Sequence, residues 1–238
     1  MLSETSKMIN KRYVFQIAHQ RSGSHFLGFC IGSHSQITYV DELTRIKSLK
    51  LLREQLKTKE DVIKLLDSKF EYIKTPRVLV DIKYDHMMPA LEELMKESKV
   101  IHIFRENKLD TYYSALHAQY RKSNRLGEYI EGGEVTNIKK KPERYPTFKY
   151  EEGVIYLLIR NELMFRRKYG HLIGLTFSYE ELTKNESIKK LPTWAMRKIC
   201  KFLEIEEHPM VAKTIKMSPS SVKYFFINSE KRKGGNAL

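Results

Sequence analysis

The chain's 238 residues suit one α/β domain or a domain plus a small appendage, and 41% hydrophobic with 30% charged residues allow a packed core and argue against wholesale disorder. A formal charge of +14 and an isoelectric point near 9.6 imply an anionic partner (nucleic acid, acidic glycan, membrane surface or nucleotide) without choosing among them. No run reaches the roughly 18 apolar residues that cross a bilayer, and two distant cysteines, Cys30 and Cys200, argue against a disulfide framework or a zinc site.

In chain order, Met1 to Arg12 has only scattered apolar residues and no signal-peptide core. With two core thiols expected in a reducing compartment, a cytoplasmic protein is expected. A buried strand is predicted over Tyr13–Ala18. It runs into His19-Gln20-Arg21-Ser22-Gly23-Ser24-His25-Phe26-Leu27 and then an apolar helix. Small residues at Ser22, Gly23 and Ser24 let backbone N–H groups close around an oxyanion at a helix N-terminus. Hydroxyls on Ser22 and Ser24 add donors, and Arg21 adds a forked cation. The plainer alternative is a βα turn with a serine N-cap. The segment has neither the second glycine nor the lysine of GxxxxGK[ST], and no GxGxxG turn. No carboxylate or lysine is placed for magnesium and a γ-phosphate. The loop is therefore expected to hold a 5′-phosphate without a metal.

Thr58-Lys59-Glu60-Asp61 reads as a capping box before Val62, Ile63, Leu65 and Leu66. Strands are predicted over Val78–Lys83, Val100–Phe104 and Leu172–Phe177. A helix is expected from Pro89, a second over Val154 to Tyr169 stopped by Gly170, and a third over Trp194 to Leu203. Strands alternating with amphipathic helices predict βαβ units, a mainly parallel central sheet and helices on both faces. Lys122 to Lys149, with Lys139-Lys140-Lys141 inside it, lacks periodicity and reads as a lid, an acceptor-binding segment or a basic surface loop. The tail, Glu230 to Leu238, is expected to fray, leaving one domain with its core over residues 13–228.

Gln20-Arg21-Ser22-Gly23-Ser24 at the end of the first strand resembles the 5′-phosphosulfate loop of sulfotransferases, where Lys or Arg precedes Ser-Gly-Ser/Thr. Ile101-His102-Ile103-Phe104-Arg105 to Ser114 resembles the crossing at which the family binds the 3′-phosphate. An arginine at the strand end and a serine two helical turns onward can converge on one phosphate. Ser178-Tyr179-Glu180-Glu181-Leu182 resembles the segment whose tyrosine lies near adenine, and Phe202-Leu203-Glu204-Ile205 a helix ending Phe-Leu-Gly-Ile. The resemblance spans about Tyr13 to Ile205, in the bacterial and carbohydrate-type branch. It departs at the Arg-Lys-Gly-x-x-Gly-Asp-Trp motif, of which Arg232-Lys233-Gly234-Gly235 is only a fragment.

The resemblance implies a P-loop-NTPase-like sulfotransferase fold and transfer of a sulfuryl group from 3′-phosphoadenosine 5′-phosphosulfate (PAPS) to a hydroxyl or amine acceptor. A glycan and a small molecule are both candidates. Adenosine 3′,5′-bisphosphate (PAP) is the product and no metal is involved. Arg21 would neutralise the leaving 5′-phosphate, residues Ser22 to Phe26 (with His25) would hold it, and Arg105, Ser114 and Tyr179 would hold the nucleotide's far end. Two residues compete for general base: Glu42, beside Asp41, and His86, with Asp85 before it. Lys83 would touch the transferring group or salt-bridge with Asp81 or Asp85. Two rival classes remain at this point, a P-loop-like small-molecule kinase and a basic nucleic-acid-binding protein. No nucleic-acid motif is visible, so no specific nucleic-acid partner is expected.

Overall fold

The structure is a computed structural model that describes residues 12–40, 55–123, 152–184 and 190–212. Asp41, Glu42, nearly all of the predicted basic loop and the tail lie outside the described residues. The strands are β1 (Tyr13–Ala18), β2 (Ile37–Val40), β3 (Arg77–Lys83), β4 (Lys99–Phe104) and β5 (Leu175–Ser178). They form one sheet in the order β2-β3-β1-β4-β5, and every neighbouring pair runs parallel. The described helices are α1 (Ser24–Gly32), α2 (Lys59–Phe70), α3 (Pro89–Lys96), α4 (Lys108–Ser123), α5 (Glu152–Tyr169), α6 (Tyr179–Thr183) and α7 (Thr193–Leu203). This is the predicted α/β architecture.

Two cores explain the layering. Tyr13, Phe15 and Ile17 of β1 join Val78, Val80 and Ile82 of β3 against α2, α3 and α5, through Leu66, Leu94 and Phe165 among others. Val14 and Ala18 alternate to the opposite face, where Leu27 and Ile31 of α1 and Ile199 and Leu203 of α7 cover them. A strand buried on both faces needs a nearly continuous apolar run, which is why β1 and β3 were legible. The predicted capping box is present: Thr58 Oγ1 accepts from Asp61 N at 3.2 Å, and Asp61 Oδ2 from Thr58 N at 2.9 Å. Pro89 occupies the first turn of α3.

Three expectations need correction. The sheet has a fifth strand, β2, whose four residues are at the short limit for a strand and only Ile37 of which is buried. The last strand begins at Leu175 because Gly170–Leu172 forms a one-turn 3-10 helix, and Gly174 packs so tightly on Phe202 that a Cβ there would lie 2.4 Å from its ring. Lys122 and Ser123, read as the start of a loop, belong to α4, which runs to Ser123. Glu204, standing where the resembled helix carries glycine, holds the left-handed φ of 56° as the C-cap of α7.

Candidate functional site

The β1–α1 loop lies at the C-terminal end of the central strand, where parallel α/β sheets place their ligands. Arg21 and Gly23 have φ values of 65° and 90°, left-handed conformations that a non-glycine residue adopts only under constraint. Gly23 is the N-cap of α1 and provides no side chain to it, so the serine N-cap alternative does not describe this turn. The first-turn N–H groups of α1 are thus left without a capping side chain, as an anion site requires. A Cβ at Gly23 would lie 2.1 Å from Cδ2 of Tyr179, so only glycine admits that ring against the loop. Phe26 meets the same ring edge-on, with centroids 6.1 Å apart. Ser22 and Ser24 are buried, and His25 packs edge-on against Phe29.

Charged groups stand behind the loop. Lys83, at the end of β3, is buried; its Nζ donates to Ser24 Oγ at 2.6 Å and to Asp81 Oδ2 at 2.7 Å. Tyr39 of β2 donates its hydroxyl to the same Asp81 oxygen at 3.2 Å. Its ring reaches there by lying on α1 at Gly28, where a Cβ would come within 2.3 Å of it. Gln16 of β1, in register with Asp81, donates to the Ser24 carbonyl at 2.9 Å. Between the two roles foreseen for Lys83, the salt bridge with Asp81 is therefore observed.

The second site is the β4–α4 crossing. Asn107 Oδ1 caps α4 by accepting from Asp110 N at 3.2 Å. The Glu180 carboxylate, from the first turn of α6, accepts from the backbone N–H groups of Glu106 at 2.9 Å and Asn107 at 3.3 Å. Arg105 lies over the Tyr179 ring, its guanidinium carbon 4.7 Å from the centroid, and Nη1 donates to the Asp110 carbonyl at 3.3 Å. Its Nε is buried without a hydrogen-bond partner, 3.8 Å from Glu180 Oε1. A buried guanidinium N–H in that state has donor capacity left for an incoming anion. Burial raises the Tyr179 phenol above its ordinary range, with the Arg105 charge opposing that shift.

The two crossings touch. Arg21 Nε donates to Ser114 Oγ at 3.2 Å, across 93 residues of sequence. Tyr179 joins them a second time, with Gly23 against its ring and Arg105 over it. So the structure brings together Arg21, Ser22, Gly23, Ser24, Phe26, Lys83, Arg105, Ser114 and Tyr179. His86 is buried at the end of the 3-10 turn Tyr84–His86 that leaves β3. Glu42 lies outside the described residues, so its distance from the loop is not part of this geometry. Sequence reasoning missed Tyr39 and Gln16, and gave Glu180 no role. Gln16 did carry a signal, as an amide inside an otherwise apolar strand.

No family model and no curated protein matches the chain. Among solved structures it is similar to the mouse sulfotransferase SULT7A1 complexed with PAP, at 15% identity and a TM-score of 0.47, covering 99% of this chain and 73% of that one. It is also similar to a sulfotransferase from Alicyclobacillus acidocaldarius, at 14% identity and a TM-score of 0.49, with 92% of each chain covered. Shikimate kinase from Bacteroides thetaiotaomicron shows 13% identity and a TM-score of 0.45, over 82% of this chain and 99% of that one. Function has to be read from this chain's own residues.

Proposed function

We propose that the protein is a sulfotransferase that moves the sulfuryl group of PAPS onto a hydroxyl or amine acceptor. The observation that carries this reading is the Arg21–Ser114 hydrogen bond. It brings the ends of β1 and β4 within reach of each other, which supports a ligand with a phosphate on each side of its ribose. The uncapped first turn of α1 takes the 5′-phosphosulfate, and the buried Nε of Arg105 turns to the 3′-phosphate. Tyr179, already against both crossings, offers an aromatic surface for the base.

In the reaction the acceptor oxygen or nitrogen attacks sulfur in line as the bond from sulfur to the 5′-phosphate oxygen breaks. The acceptor leaves as a sulfate ester or a sulfamate and the nucleotide as PAP. Charge builds on the departing phosphate, where Arg21 and the loop N–H groups receive it; one such donor is worth about 10²–10³ in rate. The acceptor proton passes to a carboxylate or imidazole, Glu42 or His86, in a role worth about 10²–10⁴. The +14 charge favours an anionic acceptor such as an acidic glycan, with a small hydroxyl compound as the other candidate, in a cytoplasmic setting.

Thermal unfolding with PAP, and separately with ATP and magnesium, tests the reading. At about 100 times its dissociation constant the true ligand stabilises by about 2.7 kcal/mol. Stabilisation by PAP that is lost in Arg21→Ala and Arg105→Ala is expected. Stabilisation by ATP with magnesium alone would make the protein a kinase, and strong salt-sensitive DNA binding with no PAP response would make it a nucleic-acid binder.

A further inference from the structure

Lys83 bonds a serine of the loop, and the chemistry of that bond fixes its direction. A lysine ammonium has three donors and no acceptor, so Ser24 Oγ must accept from Nζ at 2.6 Å. The hydroxyl proton of Ser24 is then forced to point away from Lys83. Both residues are buried, so the bond is shielded from competing solvent. Lys83 in turn is held by Asp81 Oδ2 at 2.7 Å, and that oxygen also accepts from Tyr39 at 3.2 Å. The glycine at position 28 that lets the Tyr39 ring lie on α1 is part of the same arrangement.

We propose that Asp81, Lys83 and Tyr39 are positioning residues that lock the Ser24 hydroxyl as a donor into the anion loop. Lys83 then acts on the bound anion through Ser24 instead of touching it. The donated proton is better polarised because a cation lies behind the oxygen that carries it. This rests on the reading of the β1–α1 loop as the 5′-phosphosulfate site. It differs from a lysine that contacts the transferring group, because its effect exists only while residue 24 carries a hydroxyl.

A double-mutant cycle on PAP affinity tests it by isothermal titration. The proteins are wild type, Ser24→Ala, the neutral pair Asp81→Leu with Lys83→Met, and the triple variant. The neutral pair replaces Lys83→Met alone, which would leave Asp81 buried and uncompensated. Ser24→Ala and the neutral pair are each expected to weaken PAP binding about tenfold or more. The triple variant is expected to bind within about twofold of Ser24→Ala, since the relay's target is already gone. Ser24→Thr, which keeps the hydroxyl, should retain the loss on neutralising the pair. If the losses multiply, Lys83 reaches the ligand independently and the relay is wrong. If the neutral pair binds like wild type, it is wrong as well. Inorganic pyrophosphate serves as a parallel probe. Wild-type binding of pyrophosphate without PAP would end the sulfotransferase reading and leave the cycle readable on pyrophosphate. Binding of neither ligand would end both.

Discussion

The two faces of the sheet bury polar clusters of opposite kind near the same strand ends. On the α1 face, Lys83 and Asp81 form a buried salt bridge with Tyr39 and Ser24 attached. On the α5 face, His102 of β4 meets the Tyr84 hydroxyl through Nε2 at 2.5 Å, with the Tyr84 ring stacked on Phe165 at a centroid distance of 4.2 Å. The first cluster supplies its own counter-charge and opens onto a loop. In the second, among the described residues, no carboxylate bonds the imidazole: burial drives the His102 pKa from 6.5 down to about 3, and Arg166 and Lys108 push the same way. Burial, with Glu162 adding to it, keeps the Tyr84 phenol protonated far above its ordinary range. A buried imidazole with no compensating partner thus gives up its charge.

Breaking the charged cluster should give the largest effect. Asp81→Leu leaves an ammonium buried without its carboxylate and should cost about 3–5 kcal/mol of stability, measured by urea unfolding. Adding Lys83→Met to Asp81→Leu should recover most of that loss, because two apolar side chains replace an ion pair without a stranded charge. A double variant no more stable than Asp81→Leu would show that packing, not charge, holds this site.

The neutral cluster should respond to pH. His102 binds a proton in the unfolded chain below 6.5 but in the folded protein only near 3. Between those values the unfolded state binds more protons, so stability is full above 6.5 and falls as pH falls. The slope from this group approaches about 1.4 kcal/mol per pH unit. Carboxylates titrate in the same range, so the quantity to measure is the difference between wild type and His102→Phe. The variant should lose about 1.6 kcal/mol less than wild type on going from pH 6.5 to 5. Parallel profiles would mean that the imidazole takes up its proton inside the folded protein.

How legible each cluster was follows from how local it is. The Tyr13–Ala18 strand and the Thr58 box depend on neighbours in sequence, and both were read with the boundaries the structure has. The residue types of the anion loop were legible for the same reason, and Lys83 with Asp81 lies on one strand two residues apart. Tyr39 could not be placed, because its partner is set by the pairing of β2 with β3 and β2 itself went unread. The contact between Arg21 and Ser114 depends on β1 lying beside β4, a pairing that no local pattern specifies. His102 stood inside an apolar strand and could be read as buried; its Tyr84 partner comes from another strand end. The last strand was misplaced because Leu172 and Ile173 are as apolar as a strand, while Gly170–Leu172 forms a 3-10 turn and the approach of Phe202 to Gly174 is a contact across the core that no local pattern shows.

The finest test compares two hydroxyls, one in each cluster. Tyr84→Phe removes the partner of His102 Nε2, whose Nδ1 already lacks one, and should cost about 1–2 kcal/mol. Tyr39→Phe removes one of two donors to Asp81 Oδ2, the longer at 3.2 Å, while Lys83 stays in place, and should cost about 1 kcal/mol. The stability costs are close, but the functional consequences should separate. Tyr39 sits behind Ser24 and the loop, so its loss should also weaken PAP binding, by a few-fold. Tyr84 faces the other core, so Tyr84→Phe should leave PAP affinity within twofold of wild type. If the two variants change affinity equally, the clusters are not functionally distinct; if neither changes it, the charged one serves the fold alone.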